Sequence, residues 1–157
     1  MLEFSTKEHR MSFAKKVVVA VDLNNDSTLL LTPLREMEFL LHSEVHFVHV
    51  FNTVNYSVFF SEFPMVYPLE TDRKVIREAV ISFLTLTAKE VLPKAFSGKI
   101  IYECFFDESP KAFLSEYVKN TNIDLVIVPT RVKRGIFESS FAQYVSQHTN
   151  ANMIFLK

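Results

Sequence analysis

The run Val17-Val18-Val19-Ala20-Val21, closed by Asp22, limits the fold more than any other stretch of this chain. It lacks polar alternation, so a strand built from it must be covered on both faces, as the central strands of parallel sheets are. Val45 to Val50, Lys99 to Phe106, Leu125 to Val128 and Met153 to Leu156 also read as strands. Helical patterns separate them. Leu30, Leu34, Met37, Leu40 and Leu41 recur at helical spacing as far as His42, with Pro33 placed to open the regular helix. Thr71 to Leu92 is the clearest helix, its apolar face being Val75, Ile76, Ala79, Val80, Phe83, Leu84, Ala88 and Val91. A third helix starts at Pro110 behind Ser109 as N-cap and buries Phe113, Leu114, Tyr117 and Val118; a fourth runs from Ser140 to about Thr149. Strands and helices that alternate in this way predict an α/β doubly wound parallel sheet with right-handed crossovers.

A length of 157 residues suits one domain with a substantial core. Residues 1–13 mix Glu3, Lys7, Glu8 and Arg10 with isolated apolar groups and read as an N-terminal arm, leaving 14–157 as the α/β domain. The arm has no apolar run of the kind that secretion signals carry, so the expected location is cytoplasmic. A formal net charge of −1 gives no global attraction to nucleic acid or to an anionic membrane surface. No apolar run is long enough to span a bilayer. Cys104 is the only cysteine, which excludes an internal disulfide and a multi-cysteine zinc site; its apolar strand pattern places it in the core.

Glycine decides what chemistry the loops can do. The chain has only Gly98 and Gly135, where average usage of about 7% would supply roughly eleven. A backbone that wraps phosphate needs positive φ and close approach without a Cβ. Two isolated glycines therefore exclude both G-x-G-x-x-G and G-x-x-x-x-G-K-[ST].

Three other stretches carry candidate chemistry. His46 and His49 invite a metal reading, but a strand sends them to opposite faces, so no metal site is expected there. Residues 51–70 form a long connection rich in large apolar groups; Phe59, Phe60, Phe63 and Tyr67 are candidates for a partner- or ligand-binding lid, against the plainer reading of a loop folded back over the sheet edge or the dimer contact. Asp22, Asp107, Glu108 and Ser109 fall at the carboxyl ends of the first and third strands, yet no base–nucleophile pair is visible and Ser109 suits a helix cap, so no catalytic residue is assigned. After Val128 the chain enters a basic loop with Arg131, Lys133 and Arg134, then reaches Ser139 and Ser140 at a helix start. Such a strand-to-helix loop is where anions usually bind in open α/β sheets.

In order and spacing, residues 15–157 resemble the universal stress protein family. The opening strand ending in Asp22, Phe47-Val48-His49-Val50, Ser109 to Leu114 followed by Asn122 to Val128, Ser140-Phe141-Ala142-Gln143-Tyr144-Val145, and the closing strand from Asn152 to Leu156 carry the likeness. The resemblance implies a Rossmann-like five-stranded sheet of order 3-2-1-4-5. It also implies a homodimer through the last strand, Met153, Ile154, Phe155 and Leu156, pairing an otherwise open edge. Some members bind ATP or AMP through G-x-x-G-x₉-G-[ST]. Here Pro129 and Val132 stand at the first two glycines and Ser139 at the third, after a shortening of about three residues. Pro129 has no N–H to give a phosphate, and β-branched Val132 resists positive φ.

Two functions follow as expectations. One is a dimeric stress-response regulatory module that does not bind ATP in the usual way and carries no cofactor. The other is an adenine-nucleotide sensor with a modified phosphate loop, using Asp22, Thr130, Arg131, Lys133, Arg134, Ser139 and Ser140. Neither is an enzyme, and three basic residues in one loop are too small a footprint for nucleic acid.

Overall fold

The computed structural model describes residues 14–23, 27–53, 70–130, 132–133, 136–137 and 140–157. Strand β1 (Lys16–Ala20) leads to helix α1 (Ser27–Leu31) and strand β2 (Glu44–Asn52); α2 (Glu70–Val91), β3 (Lys99–Asp107), α3 (Pro110–Asn120) and β4 (Leu125–Pro129) follow. A two-stranded ribbon, β5 (Val132–Lys133) and β6 (Ile136–Phe137), precedes α4 (Ser140–His148) and β7 (Asn152–Leu156). The main sheet has the order β3-β2-β1-β4-β7 and every pairing in it is parallel. This is the expected 3-2-1-4-5 arrangement.

The valines of β1 account for the two layers. Val17 and Val19 pack with Val45, Phe47, Leu125 and Ile127 beneath Leu84, Ala88 and Val91 of α2. Val18 faces the other way, with Val48 and Val126, against Leu114 and Val118 of α3 and Val145 of α4. All three valines are fully buried, each contributing on the order of 1.5–3 kcal/mol of apolar transfer. Cys104 belongs to the first layer, and burial pushes its thiol up to about 11, against the opposing pull of the Arg77 charge.

Four local expectations need correction. The helix expected from Pro33 to His42 does not form. The chain makes one short α-turn, Ser27–Leu31, then 3₁₀ segments at Thr32–Glu36 and Glu38–Leu40. Pro33 has no N–H to give the Leu29 carbonyl, so α1 cannot run on through it, and the Thr32 hydroxyl donates to that carbonyl instead. Val75 and Ala79, assigned to the buried face of α2, are exposed, while Thr87 is buried. The rest of the expected face holds: Val80, Leu84, Ala88 and Val91 are buried, with Ile76 and Phe83 packed against them. Ser109 does hold the N-cap position of α3 but makes no side-chain cap; the Asp107 carboxylate instead accepts the Ser109 N–H at 2.7 Å. The stretch read as a plain basic loop contains the antiparallel ribbon β5–β6, with Val132 opposite Phe137 and Lys133 opposite Ile136. Val, Ile and Phe all favour extended backbone.

Two devices set the amino end of the sheet. Asn122 takes φ 54° at the end of α3. The Ile123 N–H then returns to the Val118 carbonyl at 3.0 Å, and Asn122 N–H to Lys119 at 3.2 Å. This Schellman closure is completed by contact of Ile123 and Val118 within one apolar cluster. Next in the chain, the Asp124 carboxylate accepts the backbone N–H groups of Lys15 (3.0 Å) and Lys16 (2.9 Å), tying β4 to the start of β1.

Candidate functional site

β1 lies between β2 and β4, so the chain order reverses there and a crevice opens beyond the carboxyl ends of these strands. A cleft of about 290 Å³ occupies it, bounded by Ala20–Asp22 at the end of β1, Val48–Val50 of β2, Val128–Thr130 at the end of β4, and the starts of α3 and α4 at Pro110 and Phe141. Its size is near the lower end for small-molecule pockets.

Among the described residues, few polar groups reach this cleft. Asp22 is exposed at its rim. The His49 Nδ1–H donates to the Val21 carbonyl at 2.7 Å, which fixes the tautomer and leaves Nε2 as an acceptor. Burial holds His49 below its ordinary value, opposed by that hydrogen bond and by the charge of Asp22. Thr130 donates twice to the Leu156 carbonyl, from its N–H at 2.7 Å and its hydroxyl at 3.0 Å. Pro129, the residue before it, has no N–H at all.

Of the residual nucleotide-binding set, Asp22 and Thr130 both line the cleft. Arg131, Arg134 and Ser139 lie outside the described residues, as do the side chains of Lys133 and Ser140. The backbone of Val132 and Lys133 is extended in β5, and Ser140 opens α4. Phe59, Phe60, Phe63 and Tyr67 also lie outside the described residues, and so does the arm 1–13.

His49 is the cleft residue that the sequence reading passed over. Its separation from His46 was legible: His46 turns to the α3 side, where Tyr117 meets its Nδ1 at 2.6 Å. The parallel register that pairs Ala20 with Val48 brings His49 beside Val21 and Asp22. Given adjacent first and second strands, that neighbourhood could have been inferred. Among the described residues no cluster of His, Cys, Asp and Glu could hold a metal ion, and no helix is long and apolar enough to cross a membrane. A larger polar groove of about 590 Å³ lies at the opposite end of the sheet, between Lys15, Lys119, Asn122, Asp124 and Asn152.

Solved structures share this architecture. The hypothetical protein PH0823 superposes with a TM-score of 0.70 at 19% identity, covering 91% of this chain and 96% of that one. A universal stress protein from Archaeoglobus fulgidus gives 0.60 at 18% identity, over 90% of this chain and 93% of its own. A universal stress protein solved in complex with cAMP gives 0.60 at 14% identity, over 92% and 98%. At these identities the likeness is one of fold. No curated protein matches the sequence significantly. The universal stress protein family model, however, matches residues 14–157, nearly the whole chain, and the protein belongs to that family.

Proposed function

We propose that this protein is a dimeric stress-response regulatory module whose cleft does not hold ATP through the phosphate loop used elsewhere in its family. Family membership supports the stress-response role. The observation that carries the rest is the pair Pro129–Thr130 at the cleft wall. Pro129 brings no N–H, and both donors of Thr130 are committed to the Leu156 carbonyl. A triphosphate placed there loses backbone hydrogen bonds worth roughly 1.5–3 kcal/mol each when charge-assisted, so affinity falls at least about tenfold for each one lost. Assembly is assigned to β7, the edge strand whose Phe155 is 44% exposed. Isothermal titration with ATP tests the cleft: no heat of binding at micromolar concentrations is expected, and a micromolar Kd would overturn the reading.

The cleft itself favours a second reading, an adenine-nucleotide sensor with a modified phosphate loop. It stands at the switch point of the sheet, with Asp22 at its rim and the first turn of α4 in its wall. A structural neighbour of the same fold carries cAMP. Mass spectrometry of small molecules released from the purified protein separates the two readings. A co-purifying adenine nucleotide, lost in Arg131→Ala and Ser140→Ala, would establish the sensor.

A further inference from the structure

Among the described residues the main sheet has two edges, β3 and β7, and they are treated differently. β3 is the more hazardous. It runs nine residues, Lys-Ile-Ile-Tyr-Glu-Cys-Phe-Phe-Asp, against five for β7, and it holds neither proline nor glycine. A long, β-prone, apolar edge invites pairing with another chain. The Lys99 N–H is directed inward, to the Ser43 carbonyl beside β2. Because backbone groups alternate in direction along a strand, those of Ile100, Tyr102, Cys104 and Phe106 point outward.

Helix α2 sends one side chain around that edge. The Arg77 Nε–H donates to the outward carbonyl of Cys104 at 3.3 Å. Its guanidinium lies 5.5 Å from the centre of the Phe106 ring, and Arg73, one turn earlier on the same helix face, lies 5.6 Å from the same ring. Phe106 is thus a platform holding two cations along the carboxyl half of the edge. Cys104 sits near the middle of the outward row, so blocking its carbonyl interrupts any continuous ladder through it.

We propose that Arg77 is an edge guard: held on Phe106 and bonded to the Cys104 carbonyl, it keeps β3 from pairing with a strand of a second copy of this chain. The partner excluded is an extended strand, whose incoming N–H would need the carbonyl that Arg77 occupies and would meet its positive charge. The guard does not depend on whether β7 supports a dimer.

Sedimentation velocity over a range of protein concentrations, comparing the full chain with Arg77→Met, tests it. Methionine keeps much of the length and apolar packing over Phe106 but removes the donor and the charge. The variant is expected to gain mass with concentration: a wild type of one copy would give pairs, and a β7 dimer, which keeps two β3 edges, would give larger assemblies. Hydrogen exchange of residues 99–107 should slow in step, while in the wild type it stays independent of concentration. Arg77→Lys, which restores charge and a donor, is expected to behave as wild type. A folded Arg77→Met with the wild-type mass and unchanged exchange at every concentration overturns the guard. If Arg77→Met loses its helical circular dichroism, Arg77→Gln is held to the same criterion. A wild type that sediments as one copy would remove the proposed β7 dimer while leaving the guard to be decided by the variant.

Discussion

The hydroxyl of Tyr117 lies 2.6 Å from Nδ1 of His46, joining the middle of α3 to β2 inside an otherwise apolar layer. His46 is 2% exposed, and its other nitrogen meets Glu44 Oε1 at 2.8 Å. A carboxylate only accepts, so Nε2 carries the proton and donates to Glu44; in the neutral ring Nδ1 then accepts from Tyr117. Burial pushes the Tyr117 phenol up to about 12, reinforced by the charge of Glu103, so it remains a donor across the physiological range.

Tyr117→Phe leaves the ring volume in place and strands a buried ring nitrogen. The expected loss is about 1–3 kcal/mol of unfolding free energy. Urea denaturation at neutral pH measures it, and an unchanged midpoint would show that the bond contributes nothing.

His49 predicts a dependence of stability on pH. Burial lowers its folded-state value below the ordinary 6.5. As pH falls through 6.5 the unfolded chain takes up a proton that the folded chain refuses, so stability declines until the folded-state value is passed. Relative to the wild type, His49→Asn should show a shallower fall of stability below pH 6.5, measured by denaturation at a series of pH values. Parallel profiles for the two proteins would contradict the assignment.

Gly98 turns the chain from α2 into β3 against the backbone of Ser43, just before β2. A Cβ at this position would collide with the Ser43 carbonyl oxygen and lie 2.8 Å from Phe96 Cζ. The first obstacle is backbone and cannot rotate away. Gly98→Ala is expected to cost about 1–3 kcal/mol or more, as overpacking does, visible as a lowered Tm.

Phe155 projects from β7 with Ile154 and Leu156 turned into the core region on either side of it. Phe155→Lys places a charge on the edge that the proposed dimer uses. Its solution mass should fall to that of one copy, with circular dichroism unchanged. Retention of two copies would move the interface elsewhere.

The outward path of Arg77 around β3 was invisible in the linear chain, whereas the sheet it serves was legible throughout. Uninterrupted apolar runs such as Val17 to Val21 can be satisfied only by a strand covered on both faces, and the alternation with helices left a parallel sheet as the consistent result. Scarce glycine likewise excluded a glycine-rich phosphate motif, because such a motif is written in the residues themselves. Local competition was harder to read: the Thr32 hydroxyl and Pro33 end α1, and 3₁₀ turns follow where apolar spacing alone supported a helix. Contacts between distant residues were decided by the tertiary structure. His46 meets Tyr117 71 residues away, Arg77 meets Cys104 27 residues away, and Thr130 spends both donors on Leu156 26 residues away. Each depends on strand register and helix rotation, which a period of 2 or 3.6 constrains only to a face and not to a partner.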